Sequence, residues 1–334
     1  MRFQQGVAAD RQVELDLKDR KILAMLSRNA RQPLSGIAPA VRLSRDAVRY
    51  RIANLEKAGV IQGYRTVIDA PRFGYGAYHL FLQLNRPARE TEDRLVELFK
   101  GNPHTRAAIK FSGKFDFEVA LIAKSVGQFD SILTDILNEC SAVLQDYEIM
   151  AITKPYHSGV FPRSFIEGLL PERRKLREYE PDSKDVKILA AMADDARMPT
   201  YRISEKTGMS TDAVLYRIRK MKEGGIITGF VPVISYSVIG YTVIAVLLNM
   251  QPMSSEAESK LGRFLGTDDS ILWAVKTVGR YNTLMYICTR NPGDIHKTII
   301  SLRSHFAESI RNYETLIAYE EYKYTYFPVC LRGG

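Results

Sequence analysis

Apolar residues near the start of the chain recur at helical spacing and then change to the spacing of strands, which predicts helices followed by a sheet. Three short helices are expected, from Asp16, over 34–41, and from Ser44 to about Lys57. Val48, Ile52 and Leu55 form one apolar stripe on the third helix. A tight turn before that helix is typical of a helix-turn-helix, and the strand-like segments 60–61 and 66–68 are expected to follow as a wing.

The rest of the first unit alternates strands and helices. The expected order is strand, helix, strand, strand, helix, strand, over residues 77–84, 90–99, 107–111, 115–122, 126–137 and 143–152. That order is the ferredoxin-like arrangement.

The whole unit is then repeated with a constant offset of 166 positions, without a gap. Asp46-Ala47-Val48 returns as Asp212-Ala213-Val214, and Tyr50-Arg51-Ile52 returns as Tyr216-Arg217-Ile218. The second set of ferredoxin-like elements is expected at 242–250, 256–265, 271–277, 284–288, 294–305 and 310–319. The predicted fold class is therefore α+β, with two tandem units that each join a winged helix-turn-helix to a βαββαβ domain.

The repeat sets the predicted domain boundaries. The helix-turn-helix domains cover 15–70 and 181–236, the ferredoxin-like domains cover 71–158 and 237–328, and a linker covers 159–180.

Charge changes this picture only when it is located along the chain. The net charge is +9, and the surplus lies in residues 1–64 and 171–230, around the two helix-turn-helix segments. A polyanion would be attracted there, although a merely solvated basic surface gives the same count. Three dispersed cysteines favour a reducing cytoplasm, and no apolar run is long enough to indicate a membrane partner.

The third helix of each unit carries the candidate DNA contacts, because a helix in the major groove reads bases from its N-terminal half. In the first unit Arg45 and Arg49 stand one turn apart, away from the apolar stripe. Asp46 either accepts from a cytosine or only stabilises the first helical turn. The predicted DNA-binding set is Ser44, Arg45, Asp46, Arg49, Ser210, Thr211, Asp212 and Arg219. Because Thr211 and Leu215 replace the two arginines, the first copy is expected to dominate; Leu215 contacts either a thymine methyl or protein.

Two arginines on the same helices have a structural interpretation instead. Arg51 and Arg217 lie beside the buried stripe, and pairing with an acid such as Asp19 or Asp185 is expected.

With these motifs the chain resembles the Lrp/AsnC family of regulators, twice over. The resemblance rests on residues 17–23, 43–52 and 55–61 and on the Gly-x-x-Asp turn at Gly113–Asp116. It implies double-stranded DNA as a partner and a small effector, often an amino acid, between the ferredoxin-like domains. The implied effector residues are Gly113, Lys114, Phe115, Asp116, Gly279, Arg280, Tyr281 and Asn282.

Two features depart from the family pattern. Most members have one unit per chain, so this chain is expected to form either a homo-oligomer or an intrachain pseudo-dimer. Asn282 replaces Asp116 in the second copy, so the two turns differ, and each turn is alternatively a plain hairpin.

No enzyme motif is present, so the sequence predicts a protein that is not an enzyme, with no cofactor and no metal site. Two alternatives remain open. One is a siroheme-decarboxylase-like enzyme with His104 and Arg106 as its nearest candidate residues. The other is a ligand-sensing protein that does not bind DNA.

Overall fold

The computed structural model describes residues 12–165 and 177–333. Part of the predicted linker, residues 166–176, lies outside them. The two helix-turn-helix units consist of α1 (Leu17–Arg28), α2 (Leu34–Val41) and α3 (Arg45–Lys57), and of α6 (Ser183–Met192), α7 (Thr200–Thr207) and α8 (Thr211–Glu223).

Local capping rules explain where these helices begin. The Asp19 backbone N–H donates to the side chain of Asp16 at 2.8 Å, and the Asp19 carboxylate accepts from the backbone of Asp16. Ser44 caps α3 in the same way by accepting from the Ala47 N–H at 3.1 Å. Such caps satisfy backbone donors that the first turn leaves without partners.

The wing differs from the expectation. Each unit has one continuous strand in place of two short segments, namely β1 (Ile61–Ile68) and β6 (Ile227–Ile234). These strands pair antiparallel with each other, with Thr66 opposite Phe230. The two segments expected within one unit are thus ends of a single strand, because its hydrogen-bond partner comes from the other copy.

The ferredoxin-like elements follow the predicted order in both copies. In the first copy they are β2 (Gly76–Leu84), α4 (Arg89–Gly101), β3 (Thr105–Ser112), β4 (Phe117–Ala123), α5 (Val126–Cys140) and β5 (Leu144–Ser158). In the second they are β7 (Thr242–Met250), α9 (Ser255–Thr267), β8 (Ile271–Val278), β9 (Thr283–Thr289), α10 (Pro292–Phe306) and β10 (Ile310–Tyr324).

The last strand of each copy is longer than predicted, because its far end pairs with the other copy. β5 pairs antiparallel with β8, including Lys154 opposite Lys276, and β10 pairs with β3. The eight strands therefore close into one barrel in the order β10-β3-β4-β2-β5-β8-β9-β7. The two copies pair within a single chain.

Three hydrophobic clusters hold this arrangement together. One lies between the first sheet and α4 and α5, and a second lies between the second sheet and α9 and α10. The third fills the barrel and continues into the helix-turn-helix units. Among the residues that the structure describes, no helix has the length and apolar character needed to cross a bilayer.

Candidate nucleic-acid interface and effector turns

The first recognition helix, α3, presents its predicted contact residues to solvent. Val48, Ile52 and Leu55 are buried, as the apolar stripe requires. Ser44, Arg45, Asp46 and Arg49 are exposed on the other side. One arginine is held by a neighbour, since Arg49 Nη1 donates to Asp46 Oδ1 at 3.1 Å. Both side chains of this pair are solvated, so the pair is weak and can yield to a phosphate or a base.

The predicted structural role of Arg51 and Arg217 is confirmed. Arg51 donates to Asp16 and Asp19, each at 2.8 Å. Arg217 donates to Asp182 at 2.8 Å and to Asp185 at 2.9 Å. These bonds join the start of the first helix to the third helix in each copy, so neither arginine is directed at DNA.

The second recognition helix, α8, has the same cap and a less basic outer face. Ser210 accepts from the Ala213 N–H at 3.3 Å, and Thr211 and Asp212 are exposed. Leu215 is 49% exposed, and the guanidinium of Arg219 lies 5.6 Å from the ring centre of Tyr216. The copies therefore present chemically unequal surfaces.

Reciprocal backbone contacts place both recognition helices on one body. The Ala30 N–H donates to Phe230 O at 2.8 Å, and the Ala196 N–H donates to Tyr64 O at 2.9 Å. The loop between the first two helices of each copy thus docks on the strand of the other copy.

The two predicted effector turns lie at the seams between the copies. Gly113 has φ of 147°, and a Cβ there would lie 2.8 Å from the Leu316 side chain. Gly279 has φ of 151°, and a Cβ there would lie 2.3 Å from the Ile149 carbonyl oxygen. Glycine is needed at both places because each turn approaches the last strand of the other copy.

The remaining turn residues are divided between the interior and the surface. Phe115 and Tyr281 are each 1% exposed and belong to the core. Lys114 is half-buried, and Arg280 is exposed. The Arg280 N–H donates to Glu148 Oε1 of the other copy at 3.1 Å.

Asp116 and Asn282 each fasten a turn to a neighbouring strand. Asp116 Oδ2 accepts from the Leu84 N–H at 2.7 Å, and burial raises the pKa of this carboxyl. Asn282 accepts from the Met250 N–H at 2.9 Å and also donates to Met250 O at 2.7 Å. The amide makes one bond that an ionised carboxylate cannot make, because a carboxylate has no donor.

The residues considered for the enzyme alternative have separate neighbours. His104 Nδ1 lies 3.0 Å from the carbonyl oxygen of Ile122. The guanidinium of Arg106 lies 5.6 Å from the ring centre of Tyr326. Within residues 12–165 and 177–333 no three His, Cys, Asp or Glu residues come together as a metal site.

The sequence interpretation missed a buried polar cluster inside the barrel. Glu118, which is 1% exposed, contacts His79 through Oε1 and accepts from the Tyr286 hydroxyl through Oε2. The Trp273 ring centre lies 5.7 Å from that of His79 and 5.6 Å from that of Tyr286. A carboxylate inside an otherwise apolar strand was the available signal, but its donor is 168 positions away.

Two family models match the chain at the two helix-turn-helix units. An AsnC-type helix-turn-helix domain matches residues 182–222, and a winged helix-turn-helix DNA-binding domain matches residues 15–62. The regulatory protein AsnC of Haemophilus influenzae is 29% identical over 140 residues, which is 41% of this chain and 90% of that protein. This chain is a tandem Lrp/AsnC-type protein.

Other relatives agree with that assignment. The HTH-type transcriptional regulator FL11 of Pyrococcus furiosus is 27% identical to this tandem Lrp/AsnC-type protein over 146 residues, which is 43% of the chain and 93% of the regulator. A crystal structure of the siroheme decarboxylase NirDL matches 92% of both chains with a TM-score of 0.62 and 12% identity. That likeness shows a shared fold across both units.

Proposed function

We propose that this protein is a DNA-binding transcription regulator that reads an asymmetric site through two unequal recognition helices, and that it acts in the cytoplasm. The carrying observation is the solvent exposure of Arg45 and Arg49 on the outer face of α3, beside a cap that leaves backbone N–H groups at the helix start. Arginine is the side chain best suited to guanine edges and phosphates.

Intrachain pairing supports the asymmetric site. A homodimer repeats one recognition helix and reads a palindrome. Here one chain supplies α3 with Arg45 and Arg49 and α8 with Thr211 and Leu215. The two half-sites are therefore expected to differ, with the stronger contacts at α3.

Replacing Arg45 and Arg49 together by alanine tests the placement of α3. The double variant should bind a duplex selected from a random-sequence pool at least about tenfold more weakly, with a salt slope lower by roughly 2 if both arginines contact phosphates. Fluorescence anisotropy at several salt concentrations measures both quantities.

Two further variants calibrate that result. Arg89→Ala with Lys297→Ala removes two exposed charges from the ferredoxin-like domains and should leave affinity near that of the unaltered protein. Thr211→Ala with Arg219→Ala should weaken binding less than the α3 variant. An α3 double variant that keeps its affinity and salt slope contradicts the proposal.

We also propose that an amino-acid-like effector contacts the turns 113–116 and 279–282. The support is their place at the seams, where a bound molecule touches both copies. Isothermal titration of free amino acids into the unaltered protein and into Asp116→Asn tests this placement. Identical binding by both proteins counts against a role for the Asp116 carboxylate.

We propose regulation rather than enzymatic activity. The sequence relatives that cover most of their own length are named as regulators, whereas the decarboxylase likeness concerns the fold. A haem-like absorption band on adding a tetrapyrrole, together with loss of its carboxylates, would favour the enzyme alternative.

A further inference from the structure

An open groove of about 590 Å³ lies beside the second recognition helix, where the two helix-turn-helix units meet. Its floor is apolar and consists of Leu215, Ile218 and Phe230. Its polar rim consists of Asn29, Arg31, Arg219, Lys222 and Glu223. The second copy supplies most of the groove, and the first copy supplies Asn29 and Arg31.

The rim of this groove is positive. Arg31, Arg219 and Lys222 face one acid, Glu223. That acid already lies 3.5 Å from Arg177 and 3.8 Å from Lys220. The cations of the rim therefore outnumber the negative charge available to them.

The equivalent place in the first copy is closed by its own side chains. The Tyr64 hydroxyl donates to Glu56 Oε1 at 2.7 Å, and Arg197 Nη1 donates to the Tyr64 oxygen at 3.1 Å. The guanidinium of Arg197 also lies 4.8 Å from the centre of the Tyr64 ring. An acid and a phenol thus neutralise and cover the arginine at this place.

Two replacements remove that closure in the second copy. Lys222 stands where the first copy has Glu56, and Phe230 stands where it has Tyr64. Arg31, the counterpart of Arg197, donates instead to the carbonyl oxygens of Ala196 at 2.7 Å and Met198 at 2.9 Å. The replacements delete one carboxylate and one hydroxyl acceptor and add one positive charge.

We propose that this groove binds a small organic anion with an apolar body. The anionic group takes the place that the Glu56 carboxylate holds in the first copy, against the cations of the rim, and the apolar body lies on Leu215 and Phe230. Charge-assisted hydrogen bonds give such a ligand its orientation, and burial of its apolar part adds affinity.

The ligand would contact both helix-turn-helix units at once. Arg31 belongs to the first unit, while Leu215 and Lys222 belong to the recognition helix of the second. Binding therefore stabilises one arrangement of the two recognition helices and alters DNA affinity if the free protein samples others. The site is separate from the turns at residues 113–116 and 279–282, and its binding assay needs no DNA.

The test uses the full chain and 4-phenylbutyrate as the probe, with the cation 4-phenylbutylamine as the charge control. Saturation-transfer NMR and isothermal titration should show binding of the anion and at least about tenfold weaker binding of the amine. Equal binding of both probes overturns the proposal, because the groove then responds only to apolar surface.

Lys222→Glu with Phe230→Tyr writes the closed first-copy chemistry into the second copy and should weaken anion binding at least about tenfold. Leu215→Glu, on an exposed position, should do the same by repulsion without touching the core. Lys206→Glu on exposed α7 changes the charge without lining the groove and should leave binding unchanged.

Unchanged anion binding in both groove variants refutes the site. Absence of anion binding to the unaltered protein, combined with weaker DNA binding by the Lys222→Glu, Phe230→Tyr variant, assigns the rim to a DNA phosphate and also refutes it. Loss of DNA binding in the Arg45→Ala, Arg49→Ala variant with anion binding intact separates this inference from the proposed regulator function.

Discussion

Single side chains account for the inequality of the two copies. Arg45 and Arg49 become Thr211 and Leu215, and the buried Glu118 has an apolar counterpart in Leu284. Because such changes leave the backbone arrangement repeated, the same fold presents two different surfaces and one asymmetric interior. Glu118 is satisfied by His79 of its own copy and by Tyr286 of the other.

Tyr286→Phe should lower the free energy of unfolding by about 1–3 kcal/mol, because Glu118 Oε2 loses a donor inside the barrel. Urea denaturation measures the change. Tyr313→Phe, at a more exposed tyrosine, serves as the control and should change stability little. A loss of stability no greater than that of the control contradicts a structural role for the Tyr286–Glu118 bond.

Among the elements, the turns before β4 and β9 show how one change alters a hairpin. Both turns fasten to the preceding strand at equivalent residues, Leu84 and Met250. The first uses a carboxylate whose pKa burial raises, and the second uses an amide that both accepts and donates. The first turn therefore carries a desolvation cost that the second avoids.

Asp116→Asn should raise the free energy of unfolding at neutral pH by up to about 1 kcal/mol, since an amide can reproduce the Asn282–Met250 pair without a buried charge. The sign follows from the raised pKa: the folded state favours the neutral group, so its ionisation at neutral pH opposes folding. Thermal and urea unfolding measure the change, with Asp116→Ala as the comparison. A loss above about 1 kcal/mol for Asn would show that the turn needs the carboxylate itself.

At the level of the whole molecule, closure of the barrel makes one chain the equivalent of a dimer. β5 pairs with β8 and β10 pairs with β3, so each copy completes the sheet of the other. The bond between Glu118 and Tyr286 crosses this boundary and exists only when unlike copies meet. The interior thus favours pairing of the first copy with the second over pairing of like copies.

Separately produced halves, 12–165 and 177–333, should accordingly assemble one to one when mixed. In a pair of first halves Ala120 stands where Tyr286 does, so each Glu118 lacks that donor. Native mass spectrometry measures the fractions of like and unlike pairs. Introducing Tyr286→Phe into the second half should reduce the preference, and a mixture that contains only like pairs would refute it.

Much of the chain could be predicted from local rules. Capping residues, glycine stops and apolar periodicity placed α2 at 34–41 and β7 at 242–250, as the structure has them. The constant offset of 166 positions established the duplication, and the exposed face of α3 followed from its apolar stripe. These features depend on residues within one or two turns of each other, so the sequence contains their causes directly.

Contacts between distant segments required the folded molecule. The shared β1–β6 sheet, the far ends of β5 and β10, the Glu118–Tyr286 bond and the groove beside α8 all join residues of different copies. Whether such segments meet depends on how the chain closes, and periodicity fixes only which face of each element is apolar. The partner of that face is chosen by packing of the whole chain, and here the chain pairs with its own second copy.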